Sequence, residues 1–278
     1  MPTISEWARS SKFQCLVYGK FKIGKTAGAA TFPRPNFIDF DGGIATIASA
    51  WWKKKFDIDP SGFQYQQFKE RSVSNLGIPL GHNAFDDACR YFDLWMKADK
   101  RDQFDTWVID SGTTLTEAAA TKAIILLGGK DFGSKPLSLT HAQAQKTGLV
   151  VPKMQDFGAE RSLVEQFIDM VRDSGKHFVL IAHEKELSDD NGTPTAVVPM
   201  FTGQSVERIP LKFDEVYRII KDNTIVPGTA TVADRRVIQT VPSGLVRCGS
   251  RNGVPDRTEW TWNAIQTALE ANHTTDTK

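Results

Sequence analysis

The chain has little cysteine. Its three thiols, Cys15, Cys89 and Cys248, lie far apart in 278 residues and form no C-x-x-C pair. That excludes a zinc module built on paired cysteines and gives an expectation of reduced thiols, as in a cytosol. An excess of charge is also missing: 34 basic side chains against 33 acidic ones leave a formal +1. A balanced total neither requires nor excludes nucleic acid, because a basic patch is a local feature. The leading stretch MPTISEWARSSK has no apolar signal core, and no run approaches membrane-spanning length. The expectation is a cytoplasmic protein with no membrane partner. The sequence shows no internal repeats. Its 40% hydrophobic and 24% charged content is that of an ordinary globular chain, long enough to bury a sizeable core.

What is present is concentrated between Lys12 and Thr31. Gly19-Lys20-Phe21-Lys22-Ile23-Gly24-Lys25-Thr26 meets the P-loop pattern G-x-x-x-x-G-K-[ST] at every fixed position. An apolar strand, Phe13–Tyr18, precedes it and an Ala-rich helix follows, starting at Lys25 and Thr26. In that context backbone N–H groups from Gly19 to Ala27 wrap a phosphate, and the helix turns its positive end towards the anion. Lys25 reaches the β- and γ-phosphates, and the Thr26 hydroxyl completes a Mg²⁺ shell. The motif predicts a nucleoside triphosphate site.

The rest of the chain reads as alternating strands and helices. Asn36–Phe40 is a short buried strand ending in Asp41-Gly42-Gly43, where the glycines free the backbone to turn. Trp51–His82 has no clean period and is expected to be an excursion with some helix. Asn83 caps a helix with Phe85, Ala88, Cys89, Phe92, Trp95 and Met96 on one face, and Asp86 and Asp87 complement the dipole of its first turn. Phe104–Ile109 is a strand, Thr114–Leu127 a helix, and Lys130–Phe157 a long, partly mobile loop. A helix over Ala159–Arg172 leads into the strand His177–Ala182. The order β-α-β-α-β-α-α-β implies a mainly parallel sheet flanked by helices. From about 185 to 258 the chain is β-rich, with a hairpin turn at Asp189-Asp190-Asn191-Gly192 and strands at Thr195–Met200, Glu215–Ile220 and Arg236–Thr240. Glu259–Ala271 reads as a helix. Residues 1–11 form a lead-in, 12–271 a P-loop domain and 272–278 a disordered tail.

Strand ends decide which chemistry accompanies the phosphates. FDTWVID, residues Phe104–Asp110, is an apolar strand with an acid at its end, placing Asp110 to hold Mg²⁺ with Thr26; such an acid can also serve simply as a turn former. Asp41 ends the strand after the P-loop helix and is placed to polarise an attacking water, with Asp39 as the competing carboxylate and a plain turn as the structural alternative. His183 follows the strand Phe178–Ala182 and could sense the γ-phosphate, or merely cap the strand.

Taken in order, GKFKIGKT, FIDFDGG, WVIDSGTTL and VLIAHEKE resemble the RecA-like core of phage recombination ATPases. The resemblance is strongest to the AAA-type nucleotide-binding proteins that include the Sak-type single-strand annealing ATPases. Phe201–Ile219 also resembles a segment of those proteins, and the likeness spans roughly Lys12 to Trp262. It implies ATP hydrolysis coupled to single-stranded DNA binding, a ring or filament of identical subunits, and, if phage-encoded, a bacterial host cytoplasm. A single-strand binding protein is then a candidate partner. Asp41 falls where such proteins place a catalytic carboxylate, usually Glu, and His183 at a sensor position. A basic residue from a neighbouring subunit completes such sites, and Arg247, Arg251 and Arg257 are the candidates. The loops after Asp110 and His183, with Lys130, Lys135, Lys146 and Lys185, would touch DNA, although Glu184, Glu186, Asp189 and Asp190 would repel it.

Trp51-Trp52-Lys53-Lys54-Lys55 joins aromatics to bases, a combination that stacks nucleobases and neutralises phosphates, but equally a helix end with core tryptophans and solvated lysines. Two other function classes remain at this stage. One is a small-molecule kinase, against which no arginine-rich lid is evident. The other is a nucleotide-switched helicase loader or packaging accessory.

Overall fold

The computed structural model describes residues 12–69, 84–127, 154–222 and 235–274. Its strands are β1 (Gln14–Gly19), β2 (Pro35–Asp39), β3 (Gln64–Gln67), β4 (Thr106–Asp110), β5 (His177–Ser188), β6 (Pro194–Pro199), β7 (Glu215–Asp222), β8 (Arg235–Gln239) and the two-residue β9 (Gly249–Ser250). They run in the order β3-β2-β4-β5-β1-β7-β8, with β6 paired to β5 and β9 to β7. All pairings from β3 to β7 along that order are parallel, and β8 closes the edge antiparallel. Strands β2 and β4 are buried along their whole length, and β1 is buried from its second residue. That burial explains their continuous apolar runs: a parallel strand covered on both faces has no polar alternation to show.

Helices cover both faces. On one side lie α1 (Lys25–Ala29), α2 (Ala50–Phe56) and the carboxy-terminal helix, and Cys15, Val17, Phe37 and Val108 pack there with Trp52, Trp260 and Ile265. On the other lie α3 (Ala84–Trp95), α5 (Gly112–Leu127) and α6 (Met154–Arg172), joined by the short α4 (Ala98–Arg101). There Leu16, Ile38, Ile109 and Leu180 meet Phe85, Phe92, Val164 and Phe167. The remaining helices are α7 (Ser205–Arg208) and α8 (Trp262–Thr274). This is the expected α/β architecture, a mainly parallel sheet flanked by helices, with the P-loop following β1. The P-loop strand β1 sits between β5 and β7, and β5 separates it from β4. The strands of the β-rich stretch extend this same sheet.

Several local expectations need correcting. Strand β3 lies inside the excursion after Trp51; its residues QYQQ are mostly exposed, and only backbone pairing to β2 makes them a strand, so no apolar pattern announced it. Helix α5 starts at Gly112, two residues early, and α6 starts at Met154, inside the stretch read as loop. Strand β5 continues to Ser188 and pairs antiparallel with β6, so a hairpin replaces the loop expected after His183. Its turn is the expected one, with Gly192 at φ 79° and its N–H donating to the Asp189 carbonyl at 3.0 Å. The last helix begins at Trp262 and runs through Asn272, into the segment expected to be disordered. The Asn272 amide ties that turn down, donating to the carbonyls of Asn252 at 2.8 Å and Gly253 at 3.0 Å. The lead-in 1–11, the Asn83 cap, Lys130, Lys135, Lys146 and residues 275–278 fall outside the described residues.

At the end of the sheet away from the P-loop, the His177 Nδ1 accepts the Phe13 N–H at 3.1 Å. Burial, aided by Lys12, pushes this imidazole from 6.5 down to about 4. Between those values the unfolded chain binds a proton that the fold does not, so stability should fall as pH drops from 6.5 to 4. The contribution is about 3 kcal/mol at most. His177→Asn keeps an acceptor without a titrating ring. Urea unfolding at pH 7 and pH 5 should show a smaller acid loss in the variant than in the parent; equal losses would count against this role for His177.

Candidate nucleotide site

The register of the sheet brings the strand ends together. Gly19 at the end of β1 pairs with His183, and Asp39 at the end of β2 pairs with Asp110. The Phe40 and Asp41 N–H groups both donate to the Asp110 carbonyl. Four motif blocks scattered along the sequence therefore meet at one edge, around a cavity of about 450 Å³.

The phosphate loop forms as its glycines dictate. Gly24 caps α1 with φ 105°, a conformation that a side chain would strain, and Lys22 also takes a positive φ of 57°. Phe21 to Ala27 line the cavity, while the Gly19 and Lys20 carbonyls are turned to Lys25, accepting its Nζ–H groups at 2.9 Å each. Burial lowers the Lys25 pKa, and Asp110, Asp41 and Glu184 oppose the shift.

Across from the loop, the Thr26 hydroxyl donates to Asp110 Oδ2 at 2.6 Å. Burial pushes the Asp110 carboxyl up to about 7; the Thr26 hydrogen bond and Lys25 pull against that, while Asp39 and Asp41 reinforce it. Asp39 Oδ2 is also buried without a hydrogen-bond partner. Buried carboxylates in this condition call for a cation. Among the described residues no group of three or more His, Cys, Asp or Glu side chains is arranged to hold a metal. A hydroxyl, one carboxylate and the phosphates of a bound nucleotide nevertheless suit Mg²⁺, which usually keeps several waters. The donor set fits.

The two competing carboxylates have separate positions. Asp39 Oδ1 accepts N–H groups from Asp41, Gly42 and Gly43 at 3.1, 2.7 and 3.2 Å, so it builds the turn in which Gly42 takes φ 78°. That turn directs Asp41 towards the cavity. Its Oδ2 lies 3.0 Å from His183 Nε2, and its Oδ1 accepts from the Thr114 hydroxyl. Burial raises the Asp41 pKa, but hydrogen bonds from His183, Thr114 and Ser111 outweigh it and hold the carboxyl below its ordinary value. The His183 backbone is held by its main-chain N–H, which donates to Thr113 Oγ1 at 3.0 Å. The Asp110–Ser111 peptide is cis, and Ser111 is fully buried.

Sequence reading did not single out Ser111, Thr113 or Thr114, although they immediately follow Asp110 and each has a hydroxyl. Arg236 gave no local signal at all: it comes from β8, its Nε donates to the Ile23 carbonyl 213 residues away at 2.9 Å, and its stem packs over Gly24. Two indoles secure α1. Trp52 Nε1 donates to the Ala27 carbonyl and Trp260 Nε1 to the Lys25 carbonyl, each at 2.9 Å.

The remaining candidates lie elsewhere. Arg247 faces Glu207 at 3.6 Å and Arg251 faces Asp214 at 2.7 Å, both on the exposed surface, and Arg257 sits in a turn with φ 63°. None of the three lines the cavity of its own chain. Glu184 accepts two hydrogen bonds from Arg218, at 2.8 and 3.0 Å, and Lys185 is exposed on the hairpin. In the tryptophan–lysine stretch Trp52 is core, while Trp51, Lys53, Lys54 and Lys55 are exposed. Among the described residues no helix is long and apolar enough to cross a membrane.

A family model described as an AAA domain matches residues 11–251. No curated protein matches the chain. Among solved structures it is similar to a KaiC-like protein from the hyperthermophilic archaeon Pyrococcus horikoshii OT3, with 12% identity, 82% of this chain and 77% of that one covered, and a TM-score of 0.38.

Proposed function

This chain belongs to the AAA domain family, and we propose that it is a Mg²⁺-dependent ATPase that works on single-stranded DNA. The observation that carries the hydrolytic reading is the convergence, at one sheet edge, of Lys25, the Thr26–Asp110 pair and the Asp41–His183 pair. The loop amides from Gly19 to Ala27 and Lys25 hold the phosphates. Thr26 and Asp110 hold Mg²⁺, which neutralises phosphate charge when bound. Asp41 orients the attacking water, and His183, hydrogen-bonded to it, registers the γ-phosphate and passes its loss to the β5–β6 hairpin. Arg247, Arg251 and Arg257 are the candidates to complete the site of a neighbouring subunit, in a ring or filament. The resemblance of the motif blocks to phage single-strand annealing ATPases supports DNA annealing or strand pairing as the output.

The test is ATP hydrolysis by the purified chain with and without single-stranded DNA at two salt concentrations. Stimulation that fades with salt is expected, because phosphate contacts release counterions. A rate indifferent to DNA, with no DNA retained at low salt, overturns the DNA part of the reading. One observation favours a second reading. Asp41 is tied to His183 and Thr114 and held acidic, which makes it a weak base. A nucleotide-switched partner module would then show firm ATP binding with negligible turnover, even with DNA.

Asp110→Asn should separate metal use from nucleotide binding. Hydrolysis should fall ~100-fold and lose its response to added Mg²⁺. A Mg²⁺ titration identical to the parent's would refute the role given to Asp110.

A further inference from the structure

The same cavity is lined by residues with no part in the hydrolytic reading: Trp51, Lys55 and Phe56 from α2 and Glu259, Trp260 and Thr261 from the segment before α8. Both segments are fixed to the helix that presents the phosphate-binding amides, since Trp52 bonds the Ala27 carbonyl and Trp260 the Lys25 carbonyl. Gly28, which also lines the cavity, presents no side chain to Trp260, and a Cβ there would lie 2.0 Å from the Trp260 ring.

Trp51 and Trp52 are neighbours with opposite fates. Trp52 is fully buried, whereas Trp51 is 49% exposed at the cavity wall. Its ring stands edge-on to Phe56, 6.4 Å between centroids at 88°, and Lys55 Nζ lies 5.4 Å from its centre. A large indole left in water beside a phosphate site invites a flat ligand. We infer that the nucleobase of the bound triphosphate stacks on Trp51, making this residue the determinant of base affinity. The inference rests on the nucleotide reading above. The cavity volume is of the size that takes a small cofactor. The same geometry argues against Trp51 as a DNA-stacking residue: it opens into the nucleotide cavity, and its partner in that motif is core.

Calorimetric titration of ATP and of inorganic tripolyphosphate into the parent chain, Trp51→Ala and Trp51→Phe tests it, with single-stranded DNA binding measured alongside. Trp51→Ala should weaken ATP binding about ten-fold or more, leave tripolyphosphate unchanged, and be largely rescued in Trp51→Phe. Unchanged ATP affinity in Trp51→Ala, a parallel loss of tripolyphosphate, or a loss confined to DNA each overturns the inference while leaving the phosphate site standing. A parent chain that binds neither ATP nor tripolyphosphate overturns the nucleotide reading and this inference with it.

Discussion

Lys25→Ala should abolish ATP turnover, by ~100-fold or more, while the protein still folds. The Lys25 side chain is 7% exposed, and its ammonium is satisfied by two carbonyls of its own loop. Burial disfavours its charge, so alanine removes a desolvation penalty along with two hydrogen bonds, and the net change in stability is within about 1–2 kcal/mol. The loss to function is one-sided. With Lys25 gone, the loop keeps only the exposed Lys20 and Lys22 and no buried cation to face charge developing on the phosphates, and Asp110 loses a neighbour that favours its ionised form. A coupled hydrolysis assay and a thermal melt on the same preparation give the answer. Parental turnover in the variant would remove the P-loop assignment.

Gly28→Ala should damage both the fold and the site, although in an isolated helix the same change would stabilise by about 1 kcal/mol. Here the new methyl would lie 2.0 Å from Trp260 Cδ1, 2.2 Å from its Nε1 and 2.4 Å from its backbone carbonyl oxygen. A backbone atom cannot swing aside as a flexible side chain does, so Trp260 or α1 must move. Overpacking costs about 1–3 kcal/mol, and loss of the Trp260–Lys25 carbonyl bond adds about 1 kcal/mol, which exceeds the gain in helix propensity. Because the displaced bond is to Lys25, the residue proposed to hold the phosphates, ATP affinity should fall with stability. Denaturant unfolding should show a net loss of about 1–3 kcal/mol. An unchanged midpoint with parental ATP affinity would show that the Trp260 contact is not what fixes the helix.

How legible these features were depended on the range of the interaction behind them. The P-loop could be read because all its requirements are local: a strand, two glycines, a lysine and a hydroxyl within eight residues. The buried strands were legible from their apolar runs, and α3 from its spacing. Strand β3 was hidden because an exposed edge is held by backbone pairing that leaves no side-chain pattern. The choice between Asp39 and Asp41 could not be made from the sequence, since both acids end the same strand. It turns on which carboxylate accepts the turn N–H groups and which meets a histidine 142 residues further on. Likewise no spacing rule could place Arg236 over Gly24 or Trp260 under Lys25. The sequence by itself determined the phosphate loop, the order of the buried strands and the main helices between them, and the acid ending β4. Tertiary structure alone decided which strand ends meet, which tryptophan is core and which faces the cavity, because those outcomes depend on sheet order and packing between segments far apart in the chain.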